Sequence, residues 1–162
     1  MKSIYQKSSP ILGVVLALAM SSAAFAQNEP SGFVQTLPDQ IKWNQNPALP
    51  SGGQSAVIYG HPTQAGSHYI NRVKLPADFK VAPHSHPDDM VYTVLSGTFY
   101  IGFGDKMDEA KLKAFPVGSS FLVPANINHF HWMRSGEAVV QIDGVGPSGL
   151  SYVDRADDPR KK

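Results

Sequence analysis

There is no cysteine in the 162 residues. That excludes a disulfide framework, a thiolate metal site and a thiol nucleophile. Stability must come from packing, and any metal must be held by histidine, oxygen or thioether groups. Charge is also scarce: Asp, Glu, Lys and Arg make up 17% of the chain, against ~25% in ordinary soluble domains. With no basic surplus, the composition supports neither nucleic-acid nor anionic-membrane binding. Helical periodicity is nearly missing. Only Lys106–Lys113 looks briefly helical, and its acids followed by lysines suit a solvated hairpin loop equally well. No internal repeat or low-complexity stretch is present.

Long apolar runs are missing too. The run from Ile11 to Met20 is about half the ~20 residues that a membrane span requires. Lys2 and Lys7 precede it, and Ser21-Ser22-Ala23-Ala24-Phe25-Ala26 follows. A basic segment, a short apolar core and an Ala-x-Ala site predict a secretory signal at 1–26, cut after Ala26, with no stable membrane anchor left after cleavage. The expected mature chain has 162 − 26 = 136 residues, with 14 − 2 = 12 basic against 13 acidic side chains. That is one domain with one core, near neutral and expected in the periplasm.

What the chain does have is a string of short β-type runs separated by turn residues. The runs are Ala56–Tyr59, His68–Leu75, Met90–Leu95, Thr98–Phe103, Lys111–Phe115, Ser120–Val123, His129–Met133, Ala138–Asp143 and Leu150–Val153. Gly60-His61-Pro62, Ser96-Gly97, Pro116-x-Gly118 and Ser135-Gly136 are among the breaks. This spacing predicts an all-β sandwich or barrel. The expected organisation is signal 1–26, N-terminal extension 27–54, β-barrel 55–155 and a flexible tail 156–162. Alternation places residues 90, 92 and 94 on one face of a strand, and His129, His131 and Met133 on one face of another. Phe130 and Trp132 then face outward, against a sheet, a terminal segment or a second subunit.

The chemistry sits in His84-Ser85-His86 and, well downstream, Pro124-x-Asn126-x-x-His129. Histidines at i and i+2 share one face of a strand, and a third from a neighbouring strand can complete a facial set on one divalent transition metal. Iron, nickel, copper and zinc suit imidazole ligands, and manganese is the fifth candidate. Candidates for a fourth ligand are Asp89, Met90 and His131. His131 and Tyr92 are the candidates for proton transfer. Met90, Met107 and Met133 are better assigned to packing. His61 and His68 lie in or beside an early turn and carry no motif.

These segments resemble the two motifs of the cupin superfamily across the central two-thirds of the chain. His84, His86 and Gly97 fit the first motif; Gly118, Pro124 and His129 fit the second. The short stretch between Gly97 and Gly118 is similar to that of small single-domain, quercetinase-like members. The resemblance implies a cupin (double-stranded β-helix, jelly-roll) barrel, metal binding by His84, His86 and His129, and a homodimer. Four positions depart from the pattern. Asp78 and Asn126 replace glycines, which both residue types can do in turns. Met133 replaces an asparagine, and Met90 stands where the first motif has its glutamate ligand. Asp89 can take that role only if the chain shifts by one residue, because alternation faces it away from Met90. The expected function is metal-dependent, dioxygenase-like oxidation of a small organic substrate. A non-catalytic binder and an isomerase or lyase are the alternatives.

Overall fold

The computed structural model describes residues 29–162, so the signal expected at 1–26 lies outside the described residues. The chain divides at Phe33, and the barrel unit spans Val34–Lys162. Its strands are β1 (Asn44–Gln45), β2 (Gln54–Gly60), β3 (His68–Leu75), β4 (Lys80–Ser85), β5 (Met90–Ser96) and β6 (Thr98–Phe103). They continue as β7 (Lys113–Pro116), β8 (Ser120–Val123), β9 (His129–Trp132), β10 (Ala138–Val145) and β11 (Ser151–Tyr152). One sheet has the order β1-β2-β3-β10-β5-β8 and the other β11-β4-β9-β6-β7. The strand pairs are antiparallel. The all-β expectation holds.

The core lies between the sheets, and alternation builds it. Met90, Tyr92 and Val94 of β5 are buried while Val91 and Leu95 are exposed. Val81, Ile101 and Phe99 face them from the other sheet, each 1% exposed or less. Burying one such side chain contributes ~1.5–3 kcal/mol. Gly97 makes the β5–β6 turn at φ 70°, with the carbonyl of Glu137 where a Cβ would stand. Asp78 and Asn126 adopt φ 58° and 60°, so both replacements for motif glycines take the left-handed turn expected of them.

The structure differs from the sequence expectation in three places. Strand β4, which carries His84, is not among the runs delimited above, because Pro83 interrupts its pattern. The β4–β9 register shifts between Val81 and His84, and that irregularity accommodates a residue with no N–H. Pairing begins at Asn44 rather than after residue 54, since β1 is too short and polar to show alternation. The expected tail at 156–162 forms 3-10 turns at Arg155–Asp157 and Pro159–Lys161. Arg160 secures it by donating to Asp158 and to the carbonyl of Leu150. The ambiguous segment 106–113 holds one 3-10 turn, Glu109–Lys111, capped by Asp108.

Candidate metal centre

The β4–β9 register sets His84 directly opposite His129, and their ring centroids are 4.4 Å apart. His86 follows just beyond the end of β4, with its ring 5.1 Å from His84 and 5.2 Å from His129. One ligand nitrogen from each of the three lies within 4.8 Å of the others. All three side chains are buried: His84 is 1% exposed, His86 9% and His129 0%.

Backbone carbonyls decide which nitrogen each ring offers. His84 Nδ1 lies 2.8 Å from the oxygen of Ala82, His86 Nδ1 2.6 Å from that of Gly149, and His129 Nδ1 2.9 Å from that of Ile127. A carbonyl can only accept, so each Nδ1 carries the proton and each Nε2 presents a lone pair. His86 Nε2 and His129 Nε2 are buried with no hydrogen-bond partner among the described residues. Each such orphan costs ~1–3 kcal/mol, which a metal bond would offset. A donated Nδ1–H also orients and strengthens an imidazole ligand. The three residues therefore fit a divalent transition metal.

Electrostatics keep the rings neutral. Burial, followed by the charges of its histidine neighbours, pushes His84 well below the ordinary 6.5. Burial also lowers His86 and takes His129 down to about 4. Neutral imidazole is the form a metal requires.

Among the other candidates, His131 stands beside this group, its ring 5.1 Å from those of His84 and His129. Its Nδ1 is also buried without a partner among the described residues, and burial holds it well below its ordinary pKa. It is outside the converging set. Met90 faces inward, and its sulfur accepts a hydrogen bond from the Tyr92 hydroxyl at 3.8 Å. Asp89 is exposed, and its Oδ1 accepts from the backbone N–H of Ala125 at 2.7 Å. It faces away from the histidines, as strand alternation required, so the one-residue shift that would make it a ligand does not occur. Phe130 is fully buried outside the inner cluster. Trp132 is held by its own chain: its Nε1 donates to Asp78, and Lys80 Nζ sits 3.9 Å above the ring. His61 and His68 are exposed.

A cavity of about 400 Å³ adjoins the centre. His84, His86 and His131 reach its wall, while Val73, Leu75, Val81, Phe99, Val140 and Ile142 make the wall largely apolar. The volume falls within the ~300–1,000 Å³ typical of small-molecule sites. Among the polar residues that sequence reasoning missed at or behind this wall, four matter most. Tyr69 donates its hydroxyl to Asp88 Oδ2 at 2.7 Å, and Ser148 Oγ lies 3.2 Å from the same hydroxyl. The fourth is Asn71, on the cavity wall with a buried, unpartnered Oδ1. Burial, with Asp88 adding to it, raises the Tyr69 pKa, so the phenol keeps its proton. Gly144 makes room for the pair, since a Cβ there would meet Tyr69 Cζ at 2.7 Å and Asp88 Oδ2 at 2.9 Å. Alternation along His68–Leu75 was the available signal for Tyr69 and Asn71. No local signal marks Asp88.

No family model matches the sequence, and no curated protein sequence matches it. Solved structures do match. The polyketide cyclase RemF from Streptomyces resistomycificus superposes with TM-score 0.64 at 13% identity, over 80% of this chain and 91% of that one. An RmlC-like cupin from Shewanella frigidimarina gives TM-score 0.53 at 15% identity, over 69% and 90% of the two chains. A double-stranded β-helix protein from Klebsiella pneumoniae gives TM-score 0.51 at 15% identity, over 67% and 92%. At these identities the likeness concerns the fold. The chain shares the double-stranded β-helix fold of these proteins, an RmlC-like cupin among them.

Proposed function

We propose that the protein binds one divalent transition metal through Nε2 of His84, His86 and His129 and turns over a small organic molecule in the adjoining cavity. One observation carries this reading: three buried imidazoles have their Nδ1–H groups committed to backbone carbonyls, and their other nitrogens converge. When bound, such a metal supplies Lewis-acid polarisation or, if redox-active, electron transfer with dioxygen. Around it, the apolar walls exclude water, and neutral His131 can accept a proton at the cavity surface. Oxidation of the dioxygenase type, implied by the cupin resemblance, is the first reading.

Tyr69 and Asp88 favour a second reading, proton-transfer chemistry of the lyase or cyclase kind. Their 2.7 Å hydrogen bond sets an acid, Tyr69, at the cavity wall and a base, Asp88, behind it. The fold is shared with the cyclase RemF and with the DMSP lyase DddQ from Ruegeria pomeroyi, at TM-score 0.56 and 14% identity over 70% and 61% of the chains. The proposal also includes export with cleavage after Ala26 and a homodimer, checked by mass of the mature chain and by light scattering.

Metal analysis of protein released directly from the periplasm, before any affinity column, tests the core of the reading. We expect about one ion per chain and none in the His84→Ala/His129→Ala double variant. Stoichiometric metal in that variant refutes the site. Substrate loss coupled to oxygen uptake supports oxidation, and turnover under nitrogen supports proton transfer. Ligand binding without turnover in both makes the protein a binder.

A further inference from the structure

Strand β3 turns Tyr69, Asn71, Val73 and Leu75 to the cavity. Tyr69 has its polar atom bonded and Val73 and Leu75 have none, but Asn71 Oδ1 is buried with no partner among the described residues. An unpaired buried acceptor destabilises a fold, and a branched apolar residue like its neighbour Val73 would close the wall without that cost. Asn71 stands on the sheet opposite the one that carries the histidines. Between the sheets the cavity therefore has Asn71 on one side, the histidines on the other and largely apolar strand residues between them, with Asn46, Thr63 and Ser148 contributed by loops.

The wall also lacks free charge. Its one ionic side chain besides the histidines is Arg160. That guanidinium is paired with a carboxylate: Nε donates to Asp158 Oδ1 at 2.7 Å, and Nη2 to Asp158 Oδ2 and the Leu150 carbonyl, each at 2.9 Å. The bidentate Asp158 carboxylate neutralises this guanidinium, so an anion gains little there, and a bare charge between apolar walls is heavily penalised. The rings of Tyr92 and Phe99 and the thioether of Met90 favour a flat, polarisable ligand.

We propose that the cavity takes an uncharged aromatic alcohol or enol, whose hydroxyl donates to Asn71 Oδ1 while the rest of its skeleton extends between the apolar walls toward the histidines. This deepens the proposed function by naming the substrate class, and rests on it only for the end that meets the metal.

Titration of the full chain with 2-naphthol, 2-methylnaphthalene and 2-naphthoate, before and after loading with zinc, tests it. Without zinc, 2-naphthol should bind about three- to ten-fold more tightly than 2-methylnaphthalene, the range one neutral hydrogen bond supplies, and 2-naphthoate should bind most weakly. In Asn71→Leu the preference for the alcohol should vanish while the melting temperature stays level or rises. Asn71→Val, matching Val73, gives the same reading if leucine overpacks the wall. Tightest binding by the carboxylate, a preference for the alcohol that survives in a folded Asn71 variant, or no binding by the folded parent would each overturn the inference. Loss of zinc binding with the preference for 2-naphthol intact would overturn only the metal reading. Zinc binding without that preference would overturn only this one.

Discussion

Acidifying the metal-free protein should destabilise it well before its carboxylates protonate, and the histidine cluster sets the size of the effect. His129 has an ordinary pKa of 6.5 that burial depresses to about 4 in the folded chain. In the unfolded chain it takes up a proton near the ordinary value, so below that point the unfolded state binds more protons than the folded one. The sign follows: stability is complete above about pH 6.5 and falls as pH drops toward about 4. The depression is 6.5 − 4 = 2.5 units, and at 1.36 kcal/mol per unit it amounts to about 3 kcal/mol for this residue. His84, His86 and His131 are lowered in the same direction, so the slope should exceed ~1.4 kcal/mol per pH unit in that window. Against a typical ~5–15 kcal/mol for a domain, this brings the metal-free chain close to unfolding near pH 4.5. Urea denaturation at a series of pH values measures it directly. Zinc should raise stability at about pH 7 and lose its effect on acidification, because protons compete for Nε2. A flat stability curve between about pH 7 and 5 would refute the argument that the rings are buried neutral.

Three further outcomes follow from the geometry. Gly144→Ala forces a methyl group against Tyr69 and Asp88 and should cost ~1–3 kcal/mol by overpacking; an unchanged denaturation midpoint would show that the close approach is not there. Asp89→Ala removes the acceptor for Ala125 N–H and should cost about 1 kcal/mol, yet metal content by mass spectrometry should not change. His131→Gln should keep about one metal per chain, since its nitrogens lie outside the converging set. Loss of metal as complete as in His86→Gln would make it a fourth ligand instead.

Much of the fold was legible because β-structure writes its period locally. Buried Met90, Tyr92 and Val94 follow from alternation alone, as does the outward Asp89. Turn chemistry was legible for the same reason: Asp78 and Asn126 tolerate positive φ, and both adopt it. Strand β4 was harder to delimit, since Pro83 breaks the pattern and the register shift that absorbs it depends on the partner strand β9.

The histidine group was available from spacing and resemblance, although spacing alone could not say that His84 would oppose His129 across a strand pair. The sequence by itself thus determined an all-β chain with three candidate imidazole ligands and no cysteine to compete with them. Only the tertiary structure decided which nitrogens are free, because the carbonyls that hold each Nδ1–H are placed by the surrounding backbone. That of Gly149 lies 63 positions from His86. It also decided that the buried acid is Asp88, bonded to Tyr69 from 19 positions away, and that Asn71 opens onto a cavity. Hydrogen bonds and cavities are relations between distant segments, whereas the strand period is a property of neighbours.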